Sequence, residues 1–179
     1  MTAEPEAAPL AAKPSDILRP LRQGDGEAIA RWYAKATVLA GEFVPLRDAL
    51  DPGDRRQAFV LTEGGDSDPV GLAAVALDDP GPNWATVRLL AIATAERRDL
   101  AARAIALLEA NVRRQAEYIR AAVPLDAGLA LYFWLRLGYH PAISEERLWM
   151  ARDLSAEREQ PCRTSLSTSK STRTRLSAN

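Results

Sequence analysis

Apolar and polar positions follow two rhythms along this chain. Ile17-Leu18-Arg19-Pro20-Leu21-Arg22 reads as a short strand, broken by Gly24, Asp25 and Gly26. Asp25 stands where a side-chain oxygen would cap the next helix, and Ile29, Trp32, Tyr33 and Ala36 then fall at helical spacing over 27–37. The stretch from Leu39 to Arg56 is mixed; a short helix is expected at 45–50, before the turn-like Asp51-Pro52-Gly53-Asp54. Residues 57–63 (QAFVLTE) read as a strand, GGDSDP as a turn, and VGLAAVAL (70–77) as a second strand. The turn DDPGPN leads to a third strand over 84–93, so the last two form a candidate antiparallel hairpin. Over 99–115 the rhythm is helical, with Ala101, Ile105, Leu108 and Val112 in one stripe, widened by Leu100, Ala104 and Leu107. A strand at 117–123 stops at Pro124. Asp126 is placed to cap a helix over 127–137, and Gly138 suits its C-terminus. That helix, GLALYFWLRLG, is apolar nearly all round, which calls for deep burial or a subunit contact such as a homodimer. A final strand is expected at 146–153. The order is β-α-(α)-β-β-β-α-β-α-β, with no internal repeat.

Composition narrows the class. A chain of 179 residues with 47% apolar and 26% charged residues is an ordinary soluble globular protein with one sizeable core. Its net charge of −1 supplies no basic field for nucleic acid, and no apolar run is long enough for a membrane span. Residues 1–16 lack the charged start and apolar stretch of a secretory signal and read as a disordered leader. Residues 17–154 form the expected domain. Residues 155–179 are Ser/Thr/Arg-rich, with Arg163, Lys170, Arg173 and Arg175 and no acid from Gln160 onward. Composition favours a solvated tail there over a weak tether to RNA or an anionic surface.

Several chemistries drop out. Cys162 is the only cysteine, so no internal disulfide is expected, which fits a reducing cytoplasm. His140 is the only histidine, so metal sites of the usual His or Cys spacing are excluded and no metal is expected. No G-x-S-x-G accompanies His140 as a hydrolase would require. The informative stretch is LAIATAERRDLAARAIALLEA (90–110): strand, short polar turn, amphipathic helix. A helix start offers free N–H groups and the positive end of the helix dipole, the raw material of a phosphate cradle. The turn contains no glycine.

The element order and three segments resemble the GNAT superfamily of acyl-CoA N-acyltransferases. ILRPLRQGDGEAIARWYAKA looks like the family's opening strand and helix. LAIATAERRDLAARAIALLEA looks like its strand, pyrophosphate loop and helix, and LALYFWLRLGYHP like its last helix and the Gly-Tyr step after it. The resemblance spans about 17–154. It implies an α/β (α+β) fold with a mixed, mostly antiparallel central sheet flanked by helices. It implies acetyl-CoA as co-substrate, with the backbone of Leu90, Ala91 and Ile92 bonding the pantetheine arm. The loop pattern Gln/Arg-x-x-Gly-x-Gly/Ala becomes Arg97-Arg98-Asp99-Leu100-Ala101-Ala102, so Leu100 stands at the first glycine. A leucine fits there if its φ stays negative and its side chain turns to the core. Arg97, Arg98 and Arg103 are the candidate phosphate contacts.

Two further departures concern catalysis. Trp134 occupies the position where many members carry a general-acid tyrosine, and an indole cannot protonate a thiolate. It counts here among the cofactor contacts, with Tyr132 the substitute acid on the far side of the helix. The family's frequent asparagine seven residues earlier is Ala127. No carboxylate lies on the strand WATVRLLAIAT, so Glu42 is the candidate base, and Glu63, Asp78 and Asp79 lie near elements that could flank the acceptor. Trp32 and Tyr33 fall near the acceptor mouth, although their spacing matches a buried face. The expected function is transfer of an acyl group, an acetyl above all, to a small-molecule or peptide amine. The alternatives are a GNAT-like fold without catalysis that binds a ligand or a protein, and an assembly partner that uses the last helix.

Overall fold

The computed structural model describes residues 17–155, apart from 43, 52–55, 65, 66, 125, 145 and 146. The expected leader, the Ser/Thr/Arg-rich tail with Cys162, the turn around Pro52 and part of GGDSDP lie outside the described residues. Strands β1 (Leu18–Pro20), β2 (Thr37–Gly41), β3 (Arg56–Leu61), β4 (Gly71–Leu77), β5 (Trp84–Ile92), β6 (Tyr118–Val123), β7 (His140–Ser144) and β8 (Arg147–Asp153) form one sheet. The helices are α1 (Asp25–Tyr33), α2 (Leu46–Leu50), α3 (Arg98–Val112) and α4 (Gly128–Arg136). The strand order is β1-β3-β4-β5-β6-β8-β7, with β2 paired to β5 off this path. Every pairing is antiparallel except β5 with β6, which run parallel as a strand–helix–strand crossover through α3 requires.

Both faces of the sheet are covered. One carries α3 and α4, which bury Ala101, Ala104, Ile105, Leu108, Val112, Phe133 and Trp134 against it. The stripe along 99–115 is therefore the observed buried face, although the helix ends at Val112. The other face carries α1 and α2 through Ile29, Tyr33 and Ala49. Within β5, Ala85 and Val87 lie under α3, and so do Leu90 and Ile92. Leu89 and Ala91 face the other way. Odd positions give way to even ones across Arg88, which has no opposite number in β4, where Val75 faces Val87 and Ala74 faces Leu89. A one-residue bulge flips the parity and bends the strand.

Several expectations are corrected. Thr37–Gly41 is a strand, not the end of a helix followed by a mixed stretch, because α1 stops at Tyr33. The C-terminal strand is a hairpin of two, β7 and β8. Asp25 is the first residue of α1, not its cap; its carboxylate accepts both Arg19 Nη atoms at 2.8 Å and the Arg22 N–H at 2.7 Å. Asp126 makes no cap either, since α4 starts at Gly128 after Ala127 without a capping side chain. Gly138, at φ +80°, ends α4 as expected. That helix is not buried all round: Leu129, Tyr132 and Leu135 are exposed along one face. Among the described residues, no helix is long and apolar enough to cross a membrane.

The end of α4 is fixed to α3 by a buried carboxylate. Glu109 accepts the Tyr139 hydroxyl at 2.8 Å and Arg152 Nη1 at 3.2 Å, and Arg152 also donates to the Leu137 carbonyl. Burial, with Glu109 beside it, holds the Tyr139 phenol well above its ordinary range, so it stays a donor. This lock sets the position of Trp134, five residues earlier in the chain.

Candidate functional site: a slot between two parallel strands

β5 and β6 pair only from Trp84–Tyr118 to Val87–Ala121. Past the Arg88 bulge they diverge, and a slot opens between their C-terminal halves. The chain fills it with its own backbone. β2 pairs antiparallel with β5 through Thr37–Ile92, Val38–Ala91, Ala40–Leu90 and Gly41–Leu89. Leu39, skipped by this register, is a bulge residue and is fully buried with Ala40 in the core under α3 and α4. The other edge of β5 is taken by Gly71–Ala74 of β4. The backbone of Leu90, Ala91 and Ile92, expected to hold a pantetheine arm, is thus paired within the chain on both sides.

Two residues seat the strand. Trp134, fully buried in α4, donates its indole N–H to the Leu39 carbonyl at 2.6 Å. Its ring packs edge-on against Phe133 and Tyr139. The residue that stands at the general-acid position is a hydrogen-bond donor to β2. At the other end, Gly41 adopts φ +78°, and a Cβ there would run into the Arg88 carbonyl oxygen. Only glycine allows the two backbones this approach.

Beyond the slot lies the start of α3. A single 3₁₀ turn, Ala95–Arg97, precedes the helix, and among the described residues no side chain caps its first N–H groups. Leu100 sits in the first turn in right-handed conformation and packs on the core, so the position needs no glycine. Ala101 is buried and Ala102 partly so, while Arg103 is exposed on the outer face. Arg97 is engaged: its guanidinium donates to Glu63 at 2.9 Å and approaches the Thr94 hydroxyl at 3.4 Å. Arg98, Asp99 and Ala102 line a cavity of about 320 Å³ together with Tyr132, Phe133 and Arg136. Tyr132 is 58% exposed there, with the Arg136 guanidinium 5.9 Å from its ring. It stands two residues before Trp134 on α4, a turn of about 200° around the helix, and lines the cavity at the α3 start.

The opposite end of the slot opens on a cavity of about 230 Å³, lined among others by Gly41, Glu42, Arg56, Thr86, Arg88 and Trp149. Glu42 follows β2 directly and also lines a second hollow beside Ala127 and Leu129. Of the carboxylates singled out from sequence, Glu42 reaches the slot, while Glu63 lies at the α3 start. Trp32 donates its indole N–H to the Pro69 carbonyl and Tyr33 its hydroxyl to that of Val44, so both serve the α1 face. Thr86, Arg88 and Trp149 of the cavity wall belong to a polar cluster of which sequence reasoning had named only Asp79. Asp79 pairs with Arg88 and Arg120, and Arg120 Nε donates to Thr86 Oγ1 at 2.9 Å. The Thr86 hydroxyl donates in turn to the Asp79 carbonyl at 2.6 Å. Arg120 lies 3.9 Å over the Trp149 ring. Burial pulls the Arg120 pKa down, Asp79 opposes this, and Arg88 adds to it. These residues come from the β4–β5 turn, β5, β6 and β8, so no single local spacing signals the cluster. Among the described residues, no three His, Cys, Asp or Glu side chains gather as a metal site would need.

No family model matches the sequence, and a search of curated proteins finds no match. Solved structures do match. An acetyltransferase from Thermus thermophilus is similar at TM-score 0.61 and 22% identity, over 78% of this chain and 97% of that one. The ribosomal-protein-S18-alanine N-acetyltransferase of Escherichia coli gives 0.61 at 16%, over 78% and 94%. The GNAT domain of S. lividans PAT gives 0.61 at 16%, over 76% and 89%. At these identities the likeness establishes the fold, which is that of the GNAT acetyltransferases.

Proposed function

We propose that this chain is an acyl-CoA-dependent N-acyltransferase, in its main form an N-acetyltransferase using acetyl-CoA, seen in a closed state. The observation that carries the reading is the Arg88 bulge. It parts β5 from β6 and leaves a slot that runs from an amine-sized cavity at one end to a bare helix start at the other. With β2 withdrawn, the free edge of Leu89–Ile92 is the backbone that would receive an extended amide-bearing arm. The N–H groups opening α3 would face its phosphates, with Arg98 beside them. An acceptor amine in the cavity would meet the thioester carbon near Arg88. The C–N bond forms, the C–S bond breaks, the nitrogen loses a proton to Glu42, and the departing thiolate takes one from water. Positioning supplies most of the rate in such a site. The acceptor is a small-molecule or peptide amine, and the lone Cys162 fits an enzyme of the reducing cytoplasm.

The test is release of free thiol, above the single thiol of Cys162, when the full chain meets acetyl-CoA and a panel of amines. Amine-dependent release is expected, and Glu42→Gln should cut it about 100-fold if Glu42 is the base. A second reading has one observation in its favour, the Trp134 bond to Leu39. In it the strand has replaced the coenzyme and the fold serves as a binding module. Absence of both desulfo-CoA binding and amine turnover would support this reading, and turnover would reject it.

A further inference from the structure

We infer that β2 is an intramolecular occupant of the acyl-CoA slot, which acyl-CoA must expel in order to bind. The inference rests on the acyl-CoA reading of that slot and adds its regulation. A strand bonded along β5 presents to Leu89–Ile92 the same kind of backbone donors and acceptors that the amides of an extended pantetheine arm would present. Leu39 fills the slot's apolar floor, and its carbonyl takes the one indole N–H that α4 offers there. Gly41 and Glu42 then line the cavity at the mouth, so the occupant and the acceptor site are one continuous segment. Both sides of the exchange satisfy the same groups. The slot is therefore never left with bare backbone, and the affinity for coenzyme is reduced in proportion to the small fraction of molecules with β2 out. An acceptor that favours the state with β2 out would raise that fraction, which couples the two substrates.

Gly41→Ala isolates the device, because a Cβ at this φ and this approach cannot be seated while the strand is in place. Two readouts apply: hydrogen exchange of the amides in 37–41 and 89–92, and calorimetric titration with desulfo-CoA. The expected result is protected amides in the wild type, lost protection in Gly41→Ala, and a tightening of desulfo-CoA binding by about ten- to hundred-fold. Leu39→Asn, which makes the buried position polar, should act the same way should Gly41→Ala fold poorly. Equal affinity in wild type and variant, with the amides of 37–41 freely exchanging in both, overturns the inference and leaves the acyltransferase reading standing. Protection lost in the variant with no desulfo-CoA binding overturns the acyl-CoA reading, and the inference with it.

Discussion

Replacing Trp134 with alanine is expected to cost about 4 kcal/mol or more, the largest loss from any single side chain in the slot. Removing a buried tryptophan costs about 3–5 kcal/mol through lost contacts and the cavity left behind. Trp134 is fully buried and packs against Phe133 and Tyr139 at 5.3 and 4.6 Å between ring centroids. The substitution also strips the Leu39 carbonyl of its indole partner, and an unsatisfied buried acceptor costs about 1–3 kcal/mol. Against a total stability of about 5–15 kcal/mol this brings the domain close to unfolding. Urea denaturation measures the loss. Trp134→Phe separates the two contributions: it keeps most of the packing and loses the hydrogen bond. It should therefore fold, at a cost of about 1–3 kcal/mol, with amide protection lost first in 37–41. A uniform loss of protection would mean that the indole N–H does not hold β2.

Asp25→Ala is expected to cost about 3–5 kcal/mol, since it removes one partner of a buried, doubly bonded ion pair. Arg19 and Asp25 are each 8% exposed at the side chain and form a two-bond fork, and Asp25 also accepts the Arg22 N–H. The Arg19 bonds come first among the causes that hold the Asp25 carboxyl below its ordinary value of 3.8, ahead of the opposing effect of burial. A depressed folded pKa sets the sign. The contribution is complete above 3.8 and is lost as pH falls through the folded value. The difference in stability between the wild type and Asp25→Asn should therefore be full at about pH 7 and shrink below about pH 4. A difference that stayed constant down to about pH 2 would contradict the assignment. The pair joins β1 to the start of α1.

Much of the fold was legible because its signals are local. The α3 stripe, the turn DDPGPN and Gly138 each carry their structure within a few residues. The failures are non-local. Thr37–Gly41 is a short strand whose partner, Leu89–Ile92, lies far along the chain, so no periodicity marks it. The helical spacing of Ala36 overruns its start. The strand β7 contains Pro141, which argues against a central strand but is tolerated at a sheet edge, where β7 lies. The site divides the same way. Leu100 turns to the core at negative φ, as its place in the stripe implies. Trp134 stands in the sequence only as an absent acid, since nothing there shows that its N–H meets the Leu39 carbonyl. The availability of Leu90, Ala91 and Ile92 follows from β5 alone, and it fails because a second strand shares their edge.

The strength of that second strand decides how the slot behaves. Burying Leu39 is worth about 2–3 kcal/mol and the Trp134 bond about 1 kcal/mol. At about 1.4 kcal/mol per decade, these contributions leave β2 seated in all but about one molecule in several hundred. A micromolar intrinsic affinity for coenzyme would then read as submillimolar. Weak binding by the wild type is thus what the occupied slot predicts.

The most direct measurement places cysteines at Val38 and Ala91, facing Cα partners in the β2–β5 ladder, with Cys162 replaced by serine. Antiparallel partners lie about 4.5–5.5 Å apart at Cα, within disulfide reach, and both side chains belong to the cluster under α1. Mild oxidation should cross-link the chain to completion, leave it at least as stable as the reduced form, and abolish desulfo-CoA binding until the bond is reduced. Two thiols that stay free, or a cross-linked protein that binds desulfo-CoA as well as the reduced one, would contradict a slot filled by β2.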